Sequence, residues 1–260
     1  MLHCSRNGAV LTLTLADEPS RNSLSEAMLS QLQEQLALAE ADLSLSVILF
    51  AAEGKVYSAG HNLKELTTHR TDADAGAGYF KAIFAQCSRL MEMIAGHRCV
   101  TIAQVHGLAS AAGCQLVASC DLAFASPLAQ FCTPGVSIGL FCATPMVALS
   151  RAVGPRFAKE MLLTGDNFDA EYALRIGLVN AVFAPEFLAE RVMAVAQKIA
   201  GKSREAIGIG KPAFDVQRHM ELKDAYSYCS DIMTKNMADP SAREGIAAFI
   251  EKRVPLWPRE

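Results

Sequence analysis

Between Cys99 and Ser150 the chain carries a single side chain of the Asp, Glu, Lys and Arg set, Asp121. A segment so long and so poor in charge must leave water, either across a bilayer or inside a core. Gln104, His106, Gln115, Pro127, Gln130, Pro134 and Pro145 cut it into pieces shorter than the roughly 20 continuous apolar residues a spanning helix requires. It therefore reads as an inner wall of a globular core, and of a pocket if that core holds one. The 260 residues suffice for one large α/β domain with or without a modest appendage.

Periodicity supplies the architecture on either side of that wall. Residues 9–16 alternate Leu with Thr, the pattern of a half-buried strand, and the turn residues 17–22 end it. Leu24, Met28, Leu32 and Leu36 then recur at helical spacing, with Ser23 as the expected N-cap. Residues 46–52 form a second apolar strand, 54–66 read as a loop, 74–95 as a long amphipathic helix and 100–105 as another buried strand. Strand alternating with helix predicts parallel strands joined by helical crossovers, with sites at strand ends. From about residue 160 strand signals fade. Segments near 170–176, 187–200, 204–214, 222–237 and 241–253 have helical spacing, and no Gly/Ser-rich or Pro-rich linker separates them from the core.

Composition excludes several classes of function. A formal charge of -3 with scattered Lys and Arg leaves no basic patch for nucleic acid. The eight cysteines show no Cys-x-x-Cys pair, and Cys114, Cys120, Cys132 and Cys142 lie among small and apolar neighbours. They are expected as free thiols, with no metal centre. The first seven residues lack the Arg- and Ser-rich pattern of a transit segment, so the cytoplasm is the expected compartment, with the mitochondrial matrix as the alternative if a leader was removed.

Two loops at strand ends carry small residues where the backbone must turn, Tyr57-Ser58-Ala59-Gly60-His61-Asn62-Leu63-Lys64-Glu65 and Gly107-Leu108-Ala109-Ser110-Ala111-Ala112-Gly113-Cys114-Gln115. Small residues let backbone approach a ligand, and the second loop runs into a helix whose free N–H groups favour negative charge. This is the pattern of an anion or oxyanion site; it serves equally as a pair of tight turns packed closely.

The stretch Pro19-Ser20-Arg21-Asn22-Ser23-Leu24-Ser25, these two loops with Leu63-Lys64-Glu65 and Cys120-Asp121, and the final Glu244-Gly245, Phe249 and Lys252-Arg253 together resemble the enoyl-CoA hydratase/isomerase, or crotonase, family. The resemblance covers nearly the whole chain. It implies a spiral core of ββα units over 1–200 that holds an acyl-CoA site, a helical C-terminal region over 201–260 that takes part in trimer formation, and a homotrimer or dimer of trimers. It places the oxyanion donors at the backbone N–H groups of His61 and Ala112. Coenzyme A, as part of the substrate and with no separate cofactor, would be held by Arg21, Ala59 and Lys64, with Phe249 and Lys252 over the adenine end.

The resemblance fails where hydration needs proton transfer. Adding water across a 2-enoyl thioester calls for two carboxylates, and the family's Glu positions fall on Gln115 and Gly135. A third carboxylate position of related isomerases falls on Ala143. Gln115 can orient water but cannot exchange a proton, and Gly135 is expected to leave a gap that water or a small anion fills. Asp121 opens an apolar strand after a helix, where Asp ties down backbone N–H groups. His61 is the remaining titratable candidate, unless its ring points at solvent or a neighbouring loop. The expected activity is therefore enoyl-CoA hydratase- or isomerase-like with altered chemistry. The alternatives are a non-catalytic acyl-CoA binder, or a CoA-thioester hydrolase or decarboxylase that uses an ordered water.

Overall fold

The Leu/Thr alternation forms β2 (Val10–Leu15), paired antiparallel with β1 (Leu2–Asn7), in a computed structural model that describes residues 1–258. Helix α1 (Glu26–Ala41) follows, burying Met28, Leu29, Leu32 and Leu36. Full burial of one such side chain stabilises by about 1.5–3 kcal/mol, which is why this stripe fixes the helix face. Its N-cap is Ser25, whose hydroxyl accepts from the Met28 N–H, and not Ser23. Ser23 is buried beside Leu24, and Leu24 pairs as an isolated bridge with His61, so the chain stays extended two residues longer than the periodicity implies.

Three successive turns then repeat one plan, a longer strand, a short strand and a helix. The first turn holds β3 (Val47–Ala52), β4 (Val56–Ser58), α2 (Leu63–Thr68) and α3 (Ala77–Gly96). The second holds β5 (Val100–Val105), β6 (Leu108–Ser110) and α4 (Ala112–Ser119). The third holds β7 (Leu122–Ala125), β8 (Gln130–Cys132), a 3-10 turn over Pro134–Ile138 and α5 (Ala143–Ala152). Then come α6 (Pro155–Thr164), β9 (Phe168–Asp169), α7 (Ala170–Arg175), β10 (Ala181–Val182) and α8 (Pro185–Ala200). The longer strands build one sheet in the order β1-β2-β3-β5-β7-β10, parallel from β2 onward. The short ones build a second, β4-β6-β8-β9, whose first three strands are parallel.

This second sheet is the main departure from the sequence reading. Residues 54–66, expected as a loop, contain β4 and the start of α2. Three-residue strands are too short to show alternation, although the fully buried Tyr57 anchors β4 in the core. The residues described fall into two units, 1–196 and 197–258. In the second, α9 (Arg204–Gln217), α10 (Leu222–Ala238) and α11 (Pro240–Ile250) pack on one another. Among the described residues no helix is long and apolar enough to cross a membrane.

Candidate active site

Because β4, β6 and β8 are parallel neighbours, their C-terminal ends share one edge of the small sheet. That edge carries the loop 59–61 after β4, the turn 111–113 after β6 and Thr133 to Gly135 after β8. Residues far apart in sequence are thus brought together by strand register.

The first loop is held from below by Asn22. This side chain is 0% exposed; its Oδ1 accepts from the Asp17 N–H at 2.7 Å, and its Nδ2 donates to the carbonyls of Glu53 at 2.8 Å and Val56 at 2.7 Å. Its own carbonyl accepts from the Ser58 hydroxyl at 2.8 Å, and Ser58 Oγ in turn accepts from the Gly60 N–H at 3.3 Å. The Ala59 N–H donates to the Arg21 carbonyl at 3.0 Å, and the Leu24 N–H to the Gly60 carbonyl at 2.8 Å. Arg21 and Asn22 both sit at positive φ, 57° and 53°, a conformation Asn tolerates better than most residues. The positive φ is legible as a turn signal in the sequence; the structural role of Asn22 and Ser58 is not, because all their partners are backbone groups.

The second loop turns from β6 into α4 within one residue. Ala111 adopts φ 49° and ψ -113°, a strained conformation for a residue with a Cβ, and is pinned by its N–H to the Cys132 carbonyl at 2.9 Å and by the Gln115 N–H to its own carbonyl at 3.0 Å. Strain of this kind costs on the order of 1–3 kcal/mol and persists only where the surroundings enforce it.

Two glycines lock the loops together. A Cβ on Gly60 would lie 2.8 Å from the Ser110 carbonyl oxygen and 3.1 Å from the Ala112 nitrogen. A Cβ on Gly113 would lie 2.4 Å from the Ser58 carbonyl oxygen. Within this contact, neither the His61 N–H nor the Ala112 N–H has an acceptor among the described residues. The Ala112 N–H also stands at the first position of α4, where the helix dipole is positive. Two unspent donors on facing loops suit a developing negative charge.

Around them lie the other candidates. Gln115 is 4% exposed, and its Oε1 is buried without a hydrogen-bond partner. The His61 ring packs edge-on against Phe84, with centroids 5.2 Å apart and an interplanar angle of 77°. Neither ring nitrogen makes a well-formed hydrogen bond, and burial holds the imidazole pKa below its ordinary value, opposed in part by the nearby Leu24 backbone. Burial likewise raises the thiols of Cys114, Cys132 and Cys142, so they stand protonated at neutral pH. All eight cysteines are free thiols. Arg21 and Lys64 are exposed near the first loop, Lys64 in the first turn of α2, which Asn62 caps through bonds to the Lys64 and Glu65 N–H groups.

The gap expected at Gly135 is not there. Along the direction in which a side chain would leave this buried residue, a Cβ would meet the Leu140 carbonyl oxygen at 2.4 Å and Cys142 Sγ at 2.9 Å. The segment leading into α5 occupies that space. Ala143, at the start of α5, is exposed. Asp121 has the structural role set out for it, since its Oδ2 accepts from the Thr101 N–H at 2.7 Å and the Thr101 hydroxyl at 3.0 Å. In the helical unit Phe249 is 84% exposed and Lys252 is exposed at φ 55°. Arg253 beside them is engaged by Glu244 and Glu251, and the Arg253 guanidinium draws the Glu244 carboxyl down to about 2.

Comparison with known proteins agrees with this architecture. The family model described as enoyl-CoA hydratase/isomerase matches residues 5–260. Human enoyl-CoA hydratase domain-containing protein 3, described as mitochondrial, is 46% identical over 252 residues, spanning 96% of this chain and 81% of that protein. The crystal structure of the human domain-containing protein 3 superposes with a TM-score of 0.93 at 43% identity, covering 98% of this chain and 99% of that one. An enoyl-CoA hydratase structure from Mycobacterium smegmatis gives 0.92 at 44% identity over 98% of both chains. The spiral of short and long strands is the crotonase fold, and the chain belongs to the enoyl-CoA hydratase/isomerase family.

Proposed function

We propose that this chain binds an acyl-CoA thioester with the carbonyl oxygen between the N–H groups of His61 and Ala112, and stabilises the enolate or tetrahedral oxyanion formed there. The observation that carries this reading is the interlock of Gly60 and Gly113 with the opposite loop, which holds two unpaired donors on facing backbones. One preorganised donor of this kind contributes roughly 3–4 kcal/mol to a developing oxyanion. Arg21 and Lys64 supply cations for the phosphates, and Ala59 supplies backbone at the first loop. Ordinary two-carboxylate hydration is not part of the reading, because Gln115, Gly135 and Ala143 stand where carboxylates would act.

A second reading is favoured by the buried, unpartnered Gln115 Oε1. An amide oxygen can accept a hydrogen bond from an ordered water, which suits thioester hydrolysis or decarboxylation in the same cradle.

Titration with short to long saturated and 2-enoyl CoA esters is expected to raise the melting temperature; a ligand at 100 times its Kd stabilises by about 2.7 kcal/mol. Free CoA should give a smaller shift. Turnover assays on the same esters separate the readings, with hydrated, isomerised or hydrolysed product each naming its reaction and binding without turnover marking a non-catalytic binder. No shift with any ester would defeat the acyl-CoA reading.

The homotrimer or dimer of trimers remains the expected assembly, and the exposed Leu222, Tyr226, Phe249, Ile250, Val254 and Leu256 of the helical unit favour self-association. Sedimentation equilibrium should return three or six chain masses, and a monomer would overturn this. For compartment, the relatives described as mitochondrial support the matrix alternative over the cytoplasm.

A further inference from the structure

The geometry points to the His61 imidazole as the group that removes and returns the α-proton of the bound acyl-CoA, making the site a one-base enolate catalyst suited to shifting a double bond rather than hydrating it. This inference rests on the acyl-CoA reading above. Four observations converge on this side chain. First, the ring hangs from the same Cα whose N–H is one of the two donors, so it lies within a side chain's length of any carbonyl bound there. Second, both ring nitrogens are buried and unpartnered, whereas His3, His69, His97 and His106 are each tied by a hydrogen bond. Buried polar groups left unpaired are few in native proteins and call for a reason.

Third, the ring packs edge-on against Phe84, and its approach to the Leu24 backbone falls short of a well-formed hydrogen bond, so passing to another staggered rotamer gives up little. The proposal includes that rotation, since both nitrogens are covered in the present rotamer. Fourth, burial keeps the imidazole neutral at neutral pH and therefore able to accept a proton. The competing carboxylates are absent or occupied. Asp121 is bonded to Thr101, and Glu65 accepts from the Glu26 N–H at 3.3 Å.

With a 3-enoyl-CoA the steps balance without a co-reactant. A ring nitrogen of neutral His61 takes the α-proton, the C–H electron pair forms the new bond from the α-carbon to the carbonyl carbon, and the carbonyl π pair moves to oxygen between the two N–H donors. The oxygen pair then re-forms the carbonyl, the π pair between the carbonyl carbon and the α-carbon shifts to make the α,β double bond, the β,γ π pair takes the same proton from the imidazolium at the γ-carbon, and the 2-enoyl ester is released with His61 neutral again. Hydration would need a second titratable group to activate water; this shift needs one.

The test follows α-proton exchange of hexanoyl-CoA in D2O and isomerisation of trans-3-hexenoyl-CoA, with calorimetric binding measured in parallel. His61→Gln and His61→Phe both keep the backbone N–H, and the phenylalanine also keeps the ring edge against Phe84. The wild type should catalyse both reactions, and either variant should slow them by about 100- to 10,000-fold with binding little changed. Variants that exchange at the wild-type rate, or a wild type that binds hexanoyl-CoA without exchange or isomerisation, overturn the role of His61 and leave the acyl-CoA reading intact. Failure of the wild type to bind either ester overturns both.

Discussion

Replacing Gly113 with alanine is expected to slow the chemistry of a bound CoA ester roughly 100- to 1,000-fold, the loss associated with one oxyanion donor. The new methyl carbon would begin 2.4 Å from the Ser58 carbonyl oxygen, 2.8 Å from Ser58 Cβ and 3.0 Å from the Ser58 carbonyl carbon. Two of those three atoms are backbone, so rotation of a side chain cannot relieve the clash. The end of β4 must move away from α4, carrying Gly60 and the His61 N–H with it, because Ser58 Oγ holds Gly60. Overpacking of this size also destabilises by about 1–3 kcal/mol. A spectroscopic readout separates the two effects. A CoA ester of a conjugated aryl enoic acid should absorb at longer wavelength when its carbonyl is polarised in the wild type, and should lose that shift in folded Gly113→Ala. Retention of both the shift and the rate would show that the two loops do not form the cradle.

The second large effect concerns the missing acid/base pair. From sequence alone, restoring both carboxylates would be the natural way to seek hydration. The structure separates the two positions. Gln115→Glu is nearly isosteric and should fold, with its carboxyl pKa raised by burial. Gly135→Glu should cost about 4 kcal/mol or more, since overpacking against the Leu140 carbonyl and Cys142 adds to the several kcal/mol of a buried, unpaired carboxylate. Chemical denaturation of the single and double variants measures this directly. The double variant is expected to melt early and to lack hydratase activity. A stable double variant that hydrates a 2-enoyl-CoA would mean that residues 140–142 yield readily and that only the carboxylates had been lost.

The legible part of the site was chemical. The small residues at Gly60 and Gly113, the absence of carboxylates at 115, 135 and 143, and the structural duty of Asp121 are all properties of residue types in order, and these survive in the structure. The N-cap of α1 and the strand β4 differ from the sequence expectation for local reasons. Leu24 takes a bridge partner 37 positions away in His61, and a three-residue strand carries too little pattern to be seen. Asn22 escaped for a related reason. Its side chain satisfies three backbone groups, one in its own turn at Asp17 and two in the distant segment from Glu53 to Val56, and no feature of its neighbours in sequence announces the distant pair.

What the sequence determined by itself is the composition of the wall and the period of the elements: a charge-poor stretch that must be buried, a Leu stripe that must be helical, and turn residues that allow positive φ. Hydrophobic transfer and local backbone sterics act over a few residues, so they are readable in order along the chain. Only the tertiary structure decided that loops 59–61 and 111–113 touch, that His61 ends with two idle ring nitrogens, and that the backbone of 140–142 fills the side-chain direction of Gly135. Those outcomes depend on the register of three short parallel strands and on close packing between segments distant in sequence, and such contacts are settled where the chain folds back on itself.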